Sequence, residues 1–271
     1  MIARVAIALT KQKYREKGDK MTPMIEEPIT INVLQPVEQA RPRIRPKPTV
    51  GLMDVSLGKP MSYRGITVVP LFLPWSEDFR YLGLSRALEQ KTLKVTEMSL
   101  EGVVPKLMVE NSGHLPILLM DGEELVGIKQ NRVLNTSVMV PPRTQIPIPV
   151  SCVEQGRWTY LGSGPTNSDN MLERTLRTRQ MDAVNQNLES NGTFHSDQDD
   201  IWYGLHQLIY KAGTYSARGA MRDVYRQKRI KLNRYCRAFP VQPGQQGLLV
   251  LHKNKPLGLD VLSRPQVYRQ A

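Results

Sequence analysis

Frequent chain breaks restrict the fold of this sequence more than any other feature, because it contains 20 prolines and 19 glycines among 271 residues. Proline interrupts helices and removes a backbone donor, and glycine adopts the positive φ angles of tight turns. Only 6% of the residues are aromatic, so a core must rely mainly on Val, Ile, Leu and Met. The sequence therefore predicts many short elements joined by turns, and it argues against a helical bundle.

The region from about residue 60 to 160 predicts a mostly antiparallel β-core. The run "GITVVPLFL" (65–73) is rich in β-formers, and "GHLPILLM" (113–120) has the continuous apolar character of a buried strand. Asp121-Gly122 is a two-residue hairpin signal. The run "ELVGI" (124–128) is therefore expected to return antiparallel to the strand before it.

The segment "QIPIPVSC" (145–152) predicts a strand with two distinct faces. One face carries Ile146, Ile148, Val150 and Cys152, and the other carries Pro147, Pro149 and Ser151. Because proline cannot donate to a β-ladder, prolines at alternate positions predict an edge strand. Cys152 lies on the apolar face, so we expect a core residue and not a nucleophile.

Helical patterns occur once early and then dominate the second half. Helices are predicted over 76–90 (with Ser76 as N-cap), 170–190, 196–213 and 216–239. A hairpin around "NKP" (254–256) closes the chain. We therefore predict an α+β fold over residues 53–271, in one domain: a mostly antiparallel β-core, then helices, then the closing hairpin.

An extended basic tail is predicted over residues 1–52. It holds ten Lys or Arg against five Asp or Glu, and "ARPRIRPKPTV" (40–50) alternates proline with basic residues. Such a stretch stays extended, because proline fixes φ and removes donors. With a net charge of +12 for the whole chain, the tail favours a polyanionic partner, either nucleic acid or a larger protein assembly.

Several classes of protein are disfavoured by what the sequence lacks. Two cysteines, Cys152 and Cys236, are too few for a disulfide framework, and the four histidines lie far apart. No metal site or cofactor is therefore predicted. No apolar run approaches the ~18 residues of a membrane span. We expect a cytoplasmic protein.

Six motifs in a fixed order resemble a known family. They are "LLMDGEELVGIKQNRVLNTSVMVP" (118–141), "IPVSCVEQGRWTY" (148–160), "SDQDDIW" (196–202), "YSARGAMRDVY" (215–225), "PGQQGLLV" (243–250) and "GLDV" (258–261). Together they resemble the ADP-ribosylglycohydrolase- and rhodanese/phosphatase-associated domain family of little-characterised prokaryotic and phage proteins. The resemblance implies a contextual link to NAD- and ADP-ribose-derived nucleotides, without supplying a mechanism.

Under this resemblance, residues 121–135 and 151–158 are expected to form one polar pocket that binds or processes such a nucleotide. The ligand-binding candidates are Lys129, Gln130, Asn131, Arg132, Asn135, Gln155, Arg157, Trp158, Asp197 and Gln198, and the catalytic candidates are Glu123, Glu124 and Glu154. Carboxylates would serve as acid and base at an N-glycosidic bond. Arg132 or Lys129 would hold a phosphate, and Trp158 would stack on a base or ribose.

Two further expectations concern this pocket. Arg132 and Glu154 should lie close together, because their segments are expected to be neighbouring strands. The alternative to a pocket is an ordinary solvated hairpin, in which Asp121 serves the turn and Glu123 and Glu124 face water. Amide and guanidinium groups so close to a β-core need partners, so for Gln130, Asn131 and Arg132 we favour function or a buried polar network.

A rival function rests on the basic helix. Between residues 218 and 237 there are eight Lys or Arg and one acid, with Tyr225 and Tyr235 interleaved. The polyanion-binding candidates are Arg218, Arg222, Arg226 and Arg229. In this alternative the chain is a non-enzymatic interaction protein, which uses tail and helix to contact nucleic acid or an assembly. Association into a homo-oligomer is compatible with either function.

Overall fold

The computed structural model describes residues 54–74, 79–98, 105–159 and 166–270. The predicted tail (1–52) and the predicted N-cap Ser76 lie outside these residues. The strands are β1 Ser56–Leu57, β2 Met61–Tyr63, β3 Ile66–Phe72, β4 Leu82–Gly83, β5 Leu93–Glu97, β6 Lys106–Asn111, β7 Ile117–Leu119, β8 Glu123–Val126, β9 Arg132–Leu134, β10 Val138–Val140, β11 Thr144–Cys152, β12 Thr166–Met171, β13 Gly247–His252 and β14 Lys255–Val261. The helices are α1 Leu84–Glu89, α2 Arg174–Asn191, α3 Gln198–Ala212, α4 Met221–Ala238 and α5 Pro265–Tyr268. The predicted α+β fold is confirmed.

The first sheet joins the beginning of the described chain to its end. Strand β3 pairs antiparallel with β1, β2 and β13, and β13 pairs with β14. The closing hairpin is therefore confirmed. Its turn residues Lys253 and Asn254 have φ angles of 48° and 64°, as expected for the two central residues of a type I′ turn.

The largest sheet has the order β12-β8-β9-β11-β6-β5, and all its pairings are antiparallel. Strand β11 lies inside this order, so the edge-strand prediction is wrong. The strand changes partner along its length: Thr144–Pro149 pairs with β6, and Val150–Cys152 pairs with β9. Pro147 and Pro149 lie in the half that pairs only with β6 among the described strands. Their missing N–H groups therefore cost no hydrogen bond to β9.

The turn at Asp121-Gly122 forms, but the predicted hairpin does not. Glu123 N donates to Met120 O at 3.2 Å, and Gly122 has a φ of 81°. The two flanking strands enter different sheets, since β7 pairs with β10 and β4, whereas β8 pairs with β9 and β12. Both strands are buried along their whole length. Each of these buried strands has a neighbouring strand on both of its edges, and it finds both neighbours in its own sheet.

Three of the four predicted helices are found close to their predicted bounds. Glu173 caps α2 by accepting from Thr175 N and Leu176 N, and Gly213, where the predicted range of the third helix ends, caps α3 in the left-handed conformation. The early helix is wrong in extent, because α1 begins at Leu84. The residues just before it, Leu82–Gly83, are held extended by parallel pairing with β7.

Hydrophobic side chains form three clusters that position the polar residues between them. The largest joins α1 to strands β5–β11 and includes Leu107, Leu119 and Ile148, each wholly buried. A second packs α2, α3 and α4 against β9 through Val133 and Leu205. Cys152 is wholly buried, as its place on the apolar face of β11 predicts. Among the described helices, none has the length and apolar character needed to span a membrane.

Candidate functional site

The polar stretch from Asp121 to Asn135 is buried at every residue. This excludes the solvated-hairpin alternative, because Glu123 is 6% exposed and Glu124 is not exposed at all. Buried polar groups need hydrogen-bond partners, and each unmade bond costs about 1–3 kcal/mol. The partners of this stretch therefore define the site.

Glu154 and Arg157 form the centre of one buried cluster. Arg157 Nε donates to Glu154 Oε1 at 3.0 Å, and its Nη2 donates to Glu154 Oε2 at 2.6 Å. Asn131 takes part twice, through its N–H to Glu154 Oε2 at 3.1 Å and through its Oδ1, which accepts from Arg157 at 3.0 Å. Arg157 also donates to the carbonyls of Ile128 and Thr159. Residues 121–135 and 151–158 therefore meet, as predicted.

Arg132 lies beside this pair and is not exposed at all. Its Nη1 donates to Gln130 Oε1 at 2.9 Å, and the same oxygen accepts from Cys152 Sγ at 3.1 Å. Its Nε and Nη2 have no hydrogen-bond partner among the described residues. Burial lowers the pKa of Arg132, and Glu154 is near enough to oppose that shift. Arg132 and Glu154 therefore share one environment, as expected, although Glu154 is bound by Arg157.

Trp158 covers the cationic side of the cluster. The Arg132 guanidinium carbon and Lys129 Nζ each lie 5.5 Å from the centre of its ring, within cation–π range. The ring is 42% exposed, so it separates these two cations from solvent without being a core residue. Behind them, Glu97 Oε1 accepts from Lys129 N at 3.3 Å, and Glu97 Oε2 is buried without a partner in the described part of the chain.

We call this set the buried cluster: Glu97, Lys129, Gln130, Asn131, Arg132, Cys152, Glu154, Arg157 and Trp158. Sequence reasoning missed Glu97. It is the last residue of β5, and the pairing of β5 with β6 brings it to the cluster. Burial raises the pKa of Cys152 to about 11. The thiol is therefore held neutral and serves the cluster as a hydrogen-bond donor.

Glu124 lies in a neighbouring network that the sequence did not predict. Its Oε2 accepts from Ser168 Oγ at 2.5 Å and from Asn170 Nδ2 at 3.1 Å. Its Oε1 is buried without a partner among the described residues, and burial raises the pKa of this carboxyl. Ser168 and Asn170 belong to β12, whose pairing with β8 was not readable from local pattern. The Glu124 carboxyl therefore loses its proton less readily than an exposed glutamate.

Asp121 is held by two elements at once. Ser137 Oγ donates to its Oδ1 at 2.6 Å, and Arg177 Nε donates to its Oδ2 at 2.8 Å. Arg177 also donates from Nη2 to Asp260 Oδ1 at 3.0 Å. Asp260 is the acid of the "GLDV" motif, so the first and last matching motifs meet on α2. Arg177 was missed, because nothing local distinguishes it from the other arginines of its helix.

The remaining predicted ligand-binding residues lie in structural networks around the cluster. Asn135 Oδ1 accepts from Ser151 at 2.7 Å and from Gln180 at 3.0 Å. Gln198 binds both backbone groups of Cys152, at 2.7 and 3.0 Å. Asp197 caps α3, because its side chain accepts from Asp200 N at 3.0 Å.

The predicted cationic patch lies at the start and along the outer side of α4. Arg222, Arg226 and Arg229 are exposed there. Arg226 pairs with Asp223 at 3.1 Å. Arg218, in the loop before the helix, lies 3.5 Å from Glu154 Oε1 and so connects the patch to the buried cluster.

The residues that form this fold and these polar networks lie in a region that one family model matches. The chain belongs to the ARG and Rhodanese-Phosphatase-superfamily-associated Protein domain family, whose model matches residues 54–271. Neither the curated proteins nor the solved structures gave a match. Within the described residues, no group of three or more His, Cys, Asp or Glu is placed to hold a metal ion.

Proposed function

We propose that the chain binds an NAD- or ADP-ribose-derived nucleotide at the buried cluster. The observation that carries this proposal is the Arg132 guanidinium, wholly buried with Nε and Nη2 unpaired among the described residues. A buried unpaired donor costs about 1–3 kcal/mol, and a charged one costs more. A phosphate oxygen would form charge-assisted hydrogen bonds with both donors and offset that cost.

Trp158 supports a ligand that has a ring as well as a phosphate. Its indole is 42% exposed and lies against the two cations that would contact the phosphate. An aromatic side chain in this position offers a stacking surface to a base. Because Arg132 is not exposed at all, the proposal requires the indole to move aside before a phosphate can reach the guanidinium.

The contacts of the three carboxylates favour binding over processing. Glu154 is occupied by Arg157 and Asn131, and Glu123 accepts from Met120 N at 2.7 Å. Glu124 has the raised pKa of a proton donor, but it is wholly buried in its own network. If the site processes its ligand, Glu124 is the residue we assign as the general acid.

Calorimetry with ADP-ribose, NAD⁺ and ADP tests this proposal. We expect the unmutated protein to bind at least one of them, and Arg132→Gln to weaken that binding at least tenfold, because a charge-assisted hydrogen bond is removed. Trp158→Phe keeps a ring and should weaken binding less. Arg86→Gln is the matched control, because Arg86 is a half-exposed arginine of α1 paired with Glu89. Absence of binding by the unmutated protein would remove the proposal.

A second candidate function is contact with a polyanion through α4. It is favoured by the exposure of Arg222, Arg226 and Arg229. Helix α4 contains one acid, Asp223, and it pairs with Arg226. Phosphate contacts release counterions, so affinity for nucleic acid should fall steeply with salt. Replacing the three arginines with Gln should reduce that salt slope by about one unit for each arginine that binds a phosphate. Deleting residues 1–52 measures the contribution of the tail separately. An unchanged salt slope would show that the tail makes no phosphate contact.

A further inference from the structure

A groove separate from the buried cluster lies between the end of α3 and the loop 214–219. Its volume is about 470 Å³, within the roughly 300–1,000 Å³ typical of small-ligand sites. Gln155, His206, Ile209, Tyr210, Arg218 and Gly219 contribute to its walls. It thus combines an apolar side, an aromatic ring and a few polar groups, which is the usual make-up of a ligand site.

Backbone contacts fix the floor of this groove. The N–H groups of Gln155 and Gly156 both donate to the carbonyl oxygen of Arg218, at 2.9 and 3.1 Å. Gly219 has a φ of 56°, and a Cβ at this position would lie 3.1 Å from Gln155 Oε1. The side chain of Gln155 is in turn 2.8 Å from His206 Nε2. The walls are therefore held in place before any ligand arrives, which lowers the entropic cost of binding.

The groove carries a cation that is only partly neutralised. Arg218 Nη1 lies 3.5 Å from Glu154 Oε1, but that carboxylate already accepts two shorter hydrogen bonds from Arg157. One carboxylate is thus shared by two guanidinium groups. The Arg218 side chain lines the groove and is 47% exposed, so it is accessible to a ligand there.

An exposed ring stands at the same groove. Tyr210 is 83% exposed, which is unusual for a large side chain that lines a concave surface. Ile209 beside it adds an apolar contact. Aromatic side chains exposed next to a cation are a recurrent means of stacking a planar ring while its phosphate is held electrostatically.

We infer that this groove is a second binding site, for a phosphate ester of a planar aromatic group. The phosphate pairs with Arg218, and the ring stacks on Tyr210. Neither Arg132 nor Trp158 lines the groove, so its ligand would not use the residues proposed to bind the nucleotide, although Arg218 contacts Glu154 of the buried cluster. Two sources offer this chemistry: a free ester such as a mononucleotide, and the same unit within a single strand.

Titrations with phenyl phosphate, AMP and inorganic phosphate, followed by calorimetry, test the inference. Both esters should bind more tightly than inorganic phosphate, and Arg218→Gln should weaken them at least tenfold. Tyr210→Ala should weaken the esters several-fold and leave inorganic phosphate unchanged. Arg86→Gln and Tyr203→Ala are the matched controls, each an exposed residue outside the groove, and thermal melting checks that every variant folds.

A single-stranded tetranucleotide distinguishes the two sources. Affinity equal to that of AMP assigns the groove to a free ester. Tighter binding that remains sensitive to Arg218→Gln assigns it to a nucleotide within a strand. The inference is overturned if neither ester binds, if Arg218→Gln binds the esters as the unmutated protein does, or if Arg86→Gln weakens them equally.

Discussion

Arg157 donates hydrogen bonds to both carboxylate oxygens of Glu154, at 3.0 and 2.6 Å, and both side chains are less than 5% exposed. The pair spans only three positions of the chain, yet it closes the contact between the end of β11 and the segment before β9. Arg157 also holds Asn131 and two backbone carbonyls. Removing it would leave several buried acceptors without a donor.

We predict that Arg157→Met lowers the free energy of unfolding by about 3–5 kcal/mol, because it leaves Glu154 as a buried charge held only by the Asn131 N–H and by a long contact to Arg218. Glu154→Gln should cost less, since Arg157 keeps its carbonyl acceptors. Chemical denaturation measures both. The control is Arg86→Met, which breaks an exposed pair worth about 0–1 kcal/mol. Equal destabilisation by Arg157→Met and by the control would contradict the prediction.

Cysteine reactivity should separate the two thiols. Burial raises the pKa of Cys152 to about 11, so at pH 8 about one thiol in a thousand is ionised there. Cys236 is exposed. We expect an alkylating reagent at pH 8 to label one thiol of the folded protein, Cys236, and both after unfolding. Cys236→Ser should abolish labelling of the folded state, and mass spectrometry provides the count. Rapid labelling of Cys152 in that variant would refute its burial.

Gly204 marks the close approach of α3 to α2. A Cβ added there would collide with Cδ2 of Leu176, which is 2% exposed in the second core cluster. We predict that Gly204→Ala destabilises the protein by about 1–3 kcal/mol through overpacking, although alanine has the better helix propensity. Adding Leu176→Val should recover part of the stability. Gly258→Ala, with open space at its Cβ, should change stability by less than about 0.5 kcal/mol.

Gln198 tests whether a predicted ligand-binding residue serves the ligand or the sheet. Its amide makes two hydrogen bonds to the backbone of Cys152, so Gln198→Ala should cost about 1–3 kcal/mol of stability. We expect nucleotide affinity below the melting temperature to stay within about twofold. Asp197→Ala is the neighbouring control and should cost about 1 kcal/mol, because it removes the helix cap. A tenfold decrease of nucleotide affinity in Gln198→Ala would show that this residue contacts the ligand after all.

Local pattern was sufficient where local chemistry decides the structure. The end of α3 at Gly213 and the turn around Asn254 were both predicted, and both depend on backbone angles that few residue types adopt. The turn at Gly122 was predicted as well. Strands β7 and β8 nevertheless enter different sheets. Turn residues determine where the chain changes direction, but they do not determine which strands a fully buried strand pairs with.

The partners in the site were readable only in part, for the same reason. Arg132 and Glu154 could be predicted to share an environment, since their segments are close in sequence and both are β-rich. The contact of Arg177 with Asp121 and Asp260 joins residues 56 and 83 positions apart. Such contacts depend on how helix α2 packs against two sheets, and no periodicity in the sequence encodes that packing.

The pairing of β3 with β13 has a consequence for synthesis of the protein on the ribosome. Ile66 lies opposite His252 in this ladder, and Leu71 lies opposite Gly247. At about 5–20 residues per second, roughly 10 to 40 s separate the synthesis of the two strands. During that interval β3, which carries the apolar residues Val68, Val69 and Leu71, has an unpaired edge open to other chains. Protection of this strand by a chaperone during translation would therefore matter more than for the helices, whose backbone hydrogen bonds are local.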